Sequence, residues 1–346
     1  MNRRVRQWLG FLLMLAGLAL LCGPFLLGTR EEWVQKQAVE TFYQEKQAVQ
    51  SASQDKQPVT EETVPESTEP RDLFYEKAKA YNESLVKNGQ DGMRSRADVE
   101  SFALSALDFG YSENLIGTLE IPRMEIELGL YLGADGENMA KGAAVFGMTS
   151  LPLGGDSENT AIAGHRGWRG SSMFRDIQLL QMDDPIYITT PWDTLTYRVC
   201  EIRIVTPEDN SWCRIQPGRT LISLMTCHPY GQNYQRYIVF AELSPEDKPS
   251  EEAIRAENAA SYDPSPRQIT QIHADGTSDT VTVDPAAIRP DGSEYGAVLS
   301  NFVILAEDKM RIAAWIGAAV VALSGIWLTV QTLRDFKKGE KHHESE

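Results

Sequence analysis

LISLMTCHPYGQNYQRYIVFAEL, residues 221–243, is two β-runs folded around a turn. LISLMTC and RYIVFAEL are rich in β-branched, aromatic and aliphatic residues, and the Pro-Tyr-Gly-Gln-Asn between them carries turn formers. The same pattern recurs upstream in IGTLEIP (116–122), ELGLYLG (127–133), TAIAGH (160–165), PIYITT (185–190) and LTYRVCEIRIV (195–205). About seven or eight such short strands, punctuated by Gly, Pro, Asp and Asn, argue for a mainly β sandwich or barrel. SSMFRDIQLL (171–180) and NMAKGA (138–143) read as single helical turns between them. The β-unit is placed at residues 115–246.

The flanks differ. Residues 72–114 are a helical N-terminal segment: in LFYEKAKAYNESLVKNG, Phe74, Ala78, Tyr81 and Leu85 fall at helical spacing, and RADVESFALSAL follows as a second short helix. Residues 29–71 are dominated by Glu, Gln, Ser, Thr and Pro, and the stretch from Gln50 to Arg71 has almost no large apolar side chain; they are expected to be a disordered stalk. Residues 247–311 are an appendage or spacer, with SEEAIRAENAA as a candidate helix and DTVTVDP and EYGAVLSNFVIL as candidate strands.

Two apolar runs frame all of this. WLGFLLMLAGLALLCGPFLL (8–27) is uncharged, long enough to span a bilayer, and preceded by Arg3, Arg4 and Arg6. Residues 312–333 form a second run, followed by Arg334, Lys337, Lys338 and Lys341. The positive residues lie outside the pair, so transmembrane helices at 8–28 and 312–333 are expected. Residues 1–7 and 334–346 would then be cytoplasmic and the middle of the chain extracellular. A cleaved signal peptide fits the first run less well, since the run is longer than a usual signal core and no small-x-small site follows. The net charge of −16 over 346 residues speaks against nucleic acid as a partner.

Of four cysteines, Cys22 lies in the first apolar run. Cys200, Cys213 and Cys227 are left in the region placed outside the membrane, an odd number, so one thiol stays free within a single chain. Arithmetic permits a Cys200–Cys213 bridge. The ligand spacings of a zinc site are missing, and no metal or cofactor is expected.

Cys227 ends one β-run and His165 ends another. Arg236 stands nine positions after Cys227, at the start of the following run. Taken singly, a buried thiol, a satisfied histidine and a solvated arginine explain them. Taken together, three strand-end residues supply a nucleophile, a proton carrier and a fixed cation. Imidazole suits proton transfer to a leaving amine near neutral pH. A guanidinium beside a thiol favours thiolate and stabilises an oxyanion.

The span from Ile116 to Leu243 resembles the sortase catalytic domain, and in detail its class C, pilus-assembling branch. IGTLEIPRMEIELGLYLG resembles the family's entry strands, TSLPLGG with TAIAGHRG its histidine segment, and SLMTCHPYGQNYQRYIV its nucleophile segment. The resemblance implies an eight-stranded sortase-type β-barrel, with Cys227 as nucleophile, His165 as catalytic histidine and Arg236 as the family's arginine. It implies cleavage of a Leu-Pro-x-Thr-Gly-type sorting signal on a surface or pilin protein. A thioacyl enzyme would then be resolved by an amine, from a pilin lysine or a cell-wall precursor. The family's active pair is usually a thiolate with an imidazolium.

His228 stands where this branch more often has a small hydroxyl residue, and Met225 where a β-branched residue is common. His228 is a competing proton partner by composition. Alternation along a strand sends it to the face opposite Cys227. The branch also carries an Asp-Pro-aromatic lid. The nearest candidates are Asp91 with Met93 and Asp108 with Phe109, and neither pair has the proline. A housekeeping sortase, a cysteine peptidase using water, and a tethered β-barrel binding module are the alternative readings.

Overall fold

Paired β-runs close into a barrel. The computed structural model describes residues 30–47, 70–90, 98–245 and 267–283, apart from a few positions inside those ranges, together with scattered positions of the two apolar runs. The strands are β1 (Leu115–Ile121), β2 (Ile126–Leu132), β3 (Ala143–Val145), β4 (Glu158–Ala163), β5 (Pro185–Thr189), β6 (Thr194–Val205), β7 (Thr220–His228) and β8 (Gln235–Leu243). Their order is β6-β5-β1-β2-β3-β4-β7-β8, and pairing of β8 with β6 closes the ring. The expected eight-stranded barrel is therefore present. β3 escaped the sequence reading because it is only three residues long and pairs parallel with β2. Too few residues are involved for alternation to register.

Strand direction defines two rims. β4 runs parallel to β7, and β8 runs antiparallel to both β7 and β6. The C-terminal ends of β4, β6 and β7 therefore share one rim, and their N-terminal ends share the other. Alternation along the strands also defines two faces. Ile222, Leu224, Ile162, Tyr237 and Val239 belong to the barrel's interior cluster, whereas Leu221, Ala161, Ala163, Ile238 and Phe240 belong to a second cluster outside it. Trp212 and Cys213, from the loop joining β6 to β7, cover that outer cluster.

Helices close the structure from outside. α1 (residues 30–47) lies against the barrel: the Tyr43 hydroxyl donates to Glu127 Oε1 at 2.9 Å, and Lys46 Nζ donates to the Thr190 carbonyl at 2.7 Å. Gln35, Val39 and Phe42 are buried along one face of it. The stalk expectation is corrected here. The glutamine-rich composition hid a helical stripe, because Gln35 is a buried polar residue that hydropathy scores as surface. The rest of the expected stalk, 48–69, lies outside the described residues.

α2 (Pro70–Asn88) caps the rim formed by the strand N-termini. Asn82 sits where it accepts from the Leu151 amide and donates to the Leu151 carbonyl and to Glu158 Oε1, at 2.8–2.9 Å. Phe74 stacks on Phe109 and packs on Trp192. α3 (Gly136–Lys141) is capped by Asp135, whose carboxylate accepts from the amides of Glu137 and Asn138.

Two further strands, β9 (Arg267–Ile272) and β10 (Ser278–Val283), form a hairpin. β9 joins β6 in parallel beyond the point where β5 leaves it. The DTVTV run is thus a strand, and its β9 partner was missed. The candidate helix SEEAIRAENAA and the candidate strand EYGAVLSNFVIL fall outside the described residues. Among the described residues no helix is long and apolar enough to cross a membrane, and both apolar runs lie largely outside them. Cys200 and Cys213 are free thiols, so the bridge that arithmetic allowed is not formed. Cys200 sits on β6 with Arg219 Nη2 3.4 Å from its sulfur, whereas Cys213 is buried and bonds to the Asn210 carbonyl. Burial pushes the Cys213 thiol up to about 12.

Candidate active site

β7 ends at His228 and β4 at Ala163, side by side on one rim. Ala163 pairs with Met225, and the Gly164 amide continues the ladder by donating to the Met225 carbonyl at 3.1 Å. Thr226 Oγ1 donates back to the Gly164 carbonyl at 2.7 Å. These bonds fix the segment leading into His165 against the segment leading into Cys227. Gly164 is required for the approach: a Cβ there would lie 2.7 Å from ring atoms of the fully buried Phe174.

Arg236 is the third member. It opens β8 directly opposite Cys227 in the antiparallel ladder. Its Nη1 donates to the carbonyls of Asn233 and Gln235, at 2.8 and 2.9 Å, which holds the guanidinium over the β7–β8 turn. By the alternation already described, Cys227 and Arg236 extend the outer face that carries Ile238 and Phe240. The three residues named from sequence are thus brought to one rim.

His165 is half-buried and stacks on Trp168, with ring centroids 4.3 Å apart and planes 10° from parallel. Burial holds its pKa below the ordinary 6.5, because desolvation disfavours the imidazolium. The loop after it is a tight turn in which Trp168 and Ser171 exchange backbone hydrogen bonds, 2.9 and 2.8 Å. Ser171 Oγ in turn donates to Gln35 Oε1 on α1 at 2.8 Å. One end of α1 therefore meets the histidine loop, and the other meets Thr190 near the opposite rim.

His228 faces away from Cys227. It is paired across the ladder with Gln235 and lies against the ring of Tyr237, on the interior face. Its Nδ1 lies 2.7 Å from Nη1 of Arg166. A guanidinium can only donate, so Nδ1 is the unprotonated acceptor. Burial and the Arg166 charge together push His228 down to about 3. It is neutral at working pH and does not compete with His165. Arg166 was read in sequence only as the residue after the histidine. It lies beyond the end of β4, where strand alternation gives no signal, and its partners Cys227 and His228 are distant in sequence.

Of the lid candidates, Asp108 and Phe109 do not gather here. Asp108 and Phe109 form a short 3-10 turn, and Phe109 stacks on Phe74 at the α2 rim, opposite Cys227. Asp91 and Met93 lie outside the described residues.

Residues 119–244 match the family model described as the sortase domain. Among curated relatives, Sortase A of Bacillus anthracis is 29% identical over 147 residues, covering 42% of this chain and 66% of the relative. Sortase A of Streptococcus agalactiae serotype III (strain NEM316) is 31% identical over 144 residues, covering 40% of this chain and 57% of the relative. The chain thus spans less than two thirds of the length of either. A solved structure, Sortase C1 of GBS Pilus Island 1, shares the fold with a TM-score of 0.50 at 21% identity, covering 63% of this chain and 95% of that one. Residues 119–244 of the chain thus carry a sortase domain by this match.

Proposed function

We propose that the protein is a membrane-anchored cysteine transpeptidase that transfers a Leu-Pro-x-Thr-Gly-type sorting signal to an amine. The observation that carries this reading is the convergence of Cys227, His165 and Arg236 at one barrel rim, with Arg236 opposite Cys227 across the ladder. The Cys227 thiolate attacks the threonine carbonyl carbon and forms a carbon–sulfur bond. Arg236 stabilises the oxyanion, and His165 gives its proton to the departing glycine amine as the carbon–nitrogen bond breaks. An acceptor amine then attacks the thioester, His165 recovers a proton from it, and the thiolate leaves. A pilin lysine is the acceptor that fits the pilus-branch sequence features and the two flanking apolar runs; a cell-wall amine is the alternative.

Incubating the full chain with a sorting-signal peptide and an amine tests this. An amide product that depends on Cys227 is expected. Hydrolysis alone at high amine concentration would turn the assignment to a cysteine peptidase. Unchanged activity in C227A would remove the enzymatic reading from this site altogether.

A further inference from the structure

Directly behind the nucleophile lies a buried polar pair that the transpeptidation chemistry leaves unused. Arg166 is 7% exposed. Its Nη1 donates to the carbonyl oxygen of Cys227 at 3.2 Å and to His228 Nδ1 at 2.7 Å, and its Nη2 donates to Gln178 Oε1. The guanidinium lies 6.0 Å from the Tyr237 ring centroid. Among the described residues its Nε has no hydrogen-bond partner, and no carboxylate forms an ion pair with it. Asp176, the nearest acidic influence, is engaged by Arg175 at 3.1 Å.

A buried cation without a carboxylate partner is costly. Here every polar contact of the guanidinium is neutral, and two of the three belong to the last two residues of β7. Desolvation lowers Arg166 to about 10, still charged at neutral pH, with Tyr237, Asp176, Cys227 and Tyr230 as the groups that favour its charge.

We propose that Arg166 is a positioning residue for the Cys227 nucleophile: its guanidinium clamps the end of β7 through the Cys227 carbonyl and His228, and presents a fixed positive charge from the interior face. His228 is the neutral acceptor that completes the clamp. Arg236 acts from the outer face and Arg166 from the inner, so the thiol stands between two cations on opposite sides of one strand. This rests on Cys227 being the nucleophile, and the experiment below separates the two claims because neither readout requires turnover.

The experiment uses the full chain. The imidazole Cε1–H resonance of His228, assigned by its loss in H228Q, is followed from pH 8 to pH 4. It is expected to stay neutral throughout in the wild type, and in R166Q to titrate at a higher pH than in the wild type while burial still holds it below the ordinary 6.5. A wild-type His228 that titrates between pH 5 and 8 overturns the clamp without any variant having to fold. In parallel, iodoacetamide modification of Cys227 is followed by peptide mass spectrometry. R166Q is expected to slow it about tenfold, and R166K, which keeps charge but loses the fork, to fall between. H228Q, whose amide oxygen can accept the same bond, should react faster than H228L. Equal Cys227 reactivity in wild type, R166Q and H228L refutes the proposal. C227A that remains active would refute the transpeptidase reading and leave the His228 result standing.

Discussion

Arg236 faces Cys227 directly across the β7–β8 ladder, with its guanidinium tied to the carbonyls of Asn233 and Gln235. A lysine at this position keeps a charge but cannot hold both carbonyls and still present a planar face. R236K is expected to lower kcat for amide formation by about a hundredfold, the scale of a lost oxyanion donor. Its melting temperature should stay within a few degrees of wild type, because the side chain covers no core. Near wild-type turnover would remove the oxyanion role.

Trp168 shields one face of His165, and burial is what holds that histidine below 6.5. Desolvation disfavours the charged imidazole, so removing the shield raises the pKa. In W168A the His165 resonance should titrate closer to 6.5 than in the wild type. A midpoint that stays put or falls would mean the indole does not control the proton.

Gly164 is the step at which β4 clears Phe174. In G164A the new methyl meets a buried ring at 2.7 Å, so either the ring or the His165 segment must move. Overpacking of this kind costs about 1–3 kcal/mol. Chemical denaturation should show that loss, and transfer activity should fall further than stability explains. A variant with full activity would show that the rim tolerates displacement of His165.

Asn82 is 6% exposed and holds the chain at Leu151 together with Glu158, at the rim away from Cys227. N82A leaves the Leu151 amide buried and unpaired and removes a donor from Glu158, while the Leu151 carbonyl keeps the Leu153 amide. Stability should drop by about 2–3 kcal/mol, while kcat measured well below the melting temperature should stay close to wild type. A selective loss of kcat would show that α2 communicates with the site.

His228 also makes the fold sensitive to acid. Its folded pKa, about 3, lies below the ordinary 6.5, so the unfolded chain binds the extra proton first. The stabilisation from neutral His228 is complete above pH 6.5 and is lost as pH falls toward 3, with a slope of at most about 1.4 kcal/mol per pH unit from this group. Arg166, Tyr237 and Cys227 surround the ring, and of these Arg166 opposes the incoming proton. H228Q should flatten the stability profile between pH 6 and 4. An unchanged slope would assign the acid sensitivity to other groups.

The barrel and the strand-end positions of the three candidate residues were legible because period-two alternation and strand ends are local properties. Cys227, His165 and Arg236 each close or open a β-run, and the nine-residue step between two of them already implied a shared turn. What pairs with what across the ring is not local. Arg166 drew no reading of its own because nothing near it in sequence announces His228, 62 positions away. α1 was mistaken for a stalk because its buried face includes Gln35, whose burial depends on Ser171 in a distant loop. The pilus-branch lid pattern misled in the other direction: Phe109 is aromatic and follows an aspartate, yet its partner is Phe74.

β6 gives one edge first to β5 and then to β9, and the β9–β10 hairpin ends the sheet with Ser278, Asp279, Thr280 and Thr282 on its last strand. A closed barrel whose longest strand outruns its neighbour would otherwise offer foreign chains a bare row of amides beside its own closure seam. Here that row is spent on a hydroxyl- and carboxylate-bearing ribbon, a poor template for unscheduled strand addition.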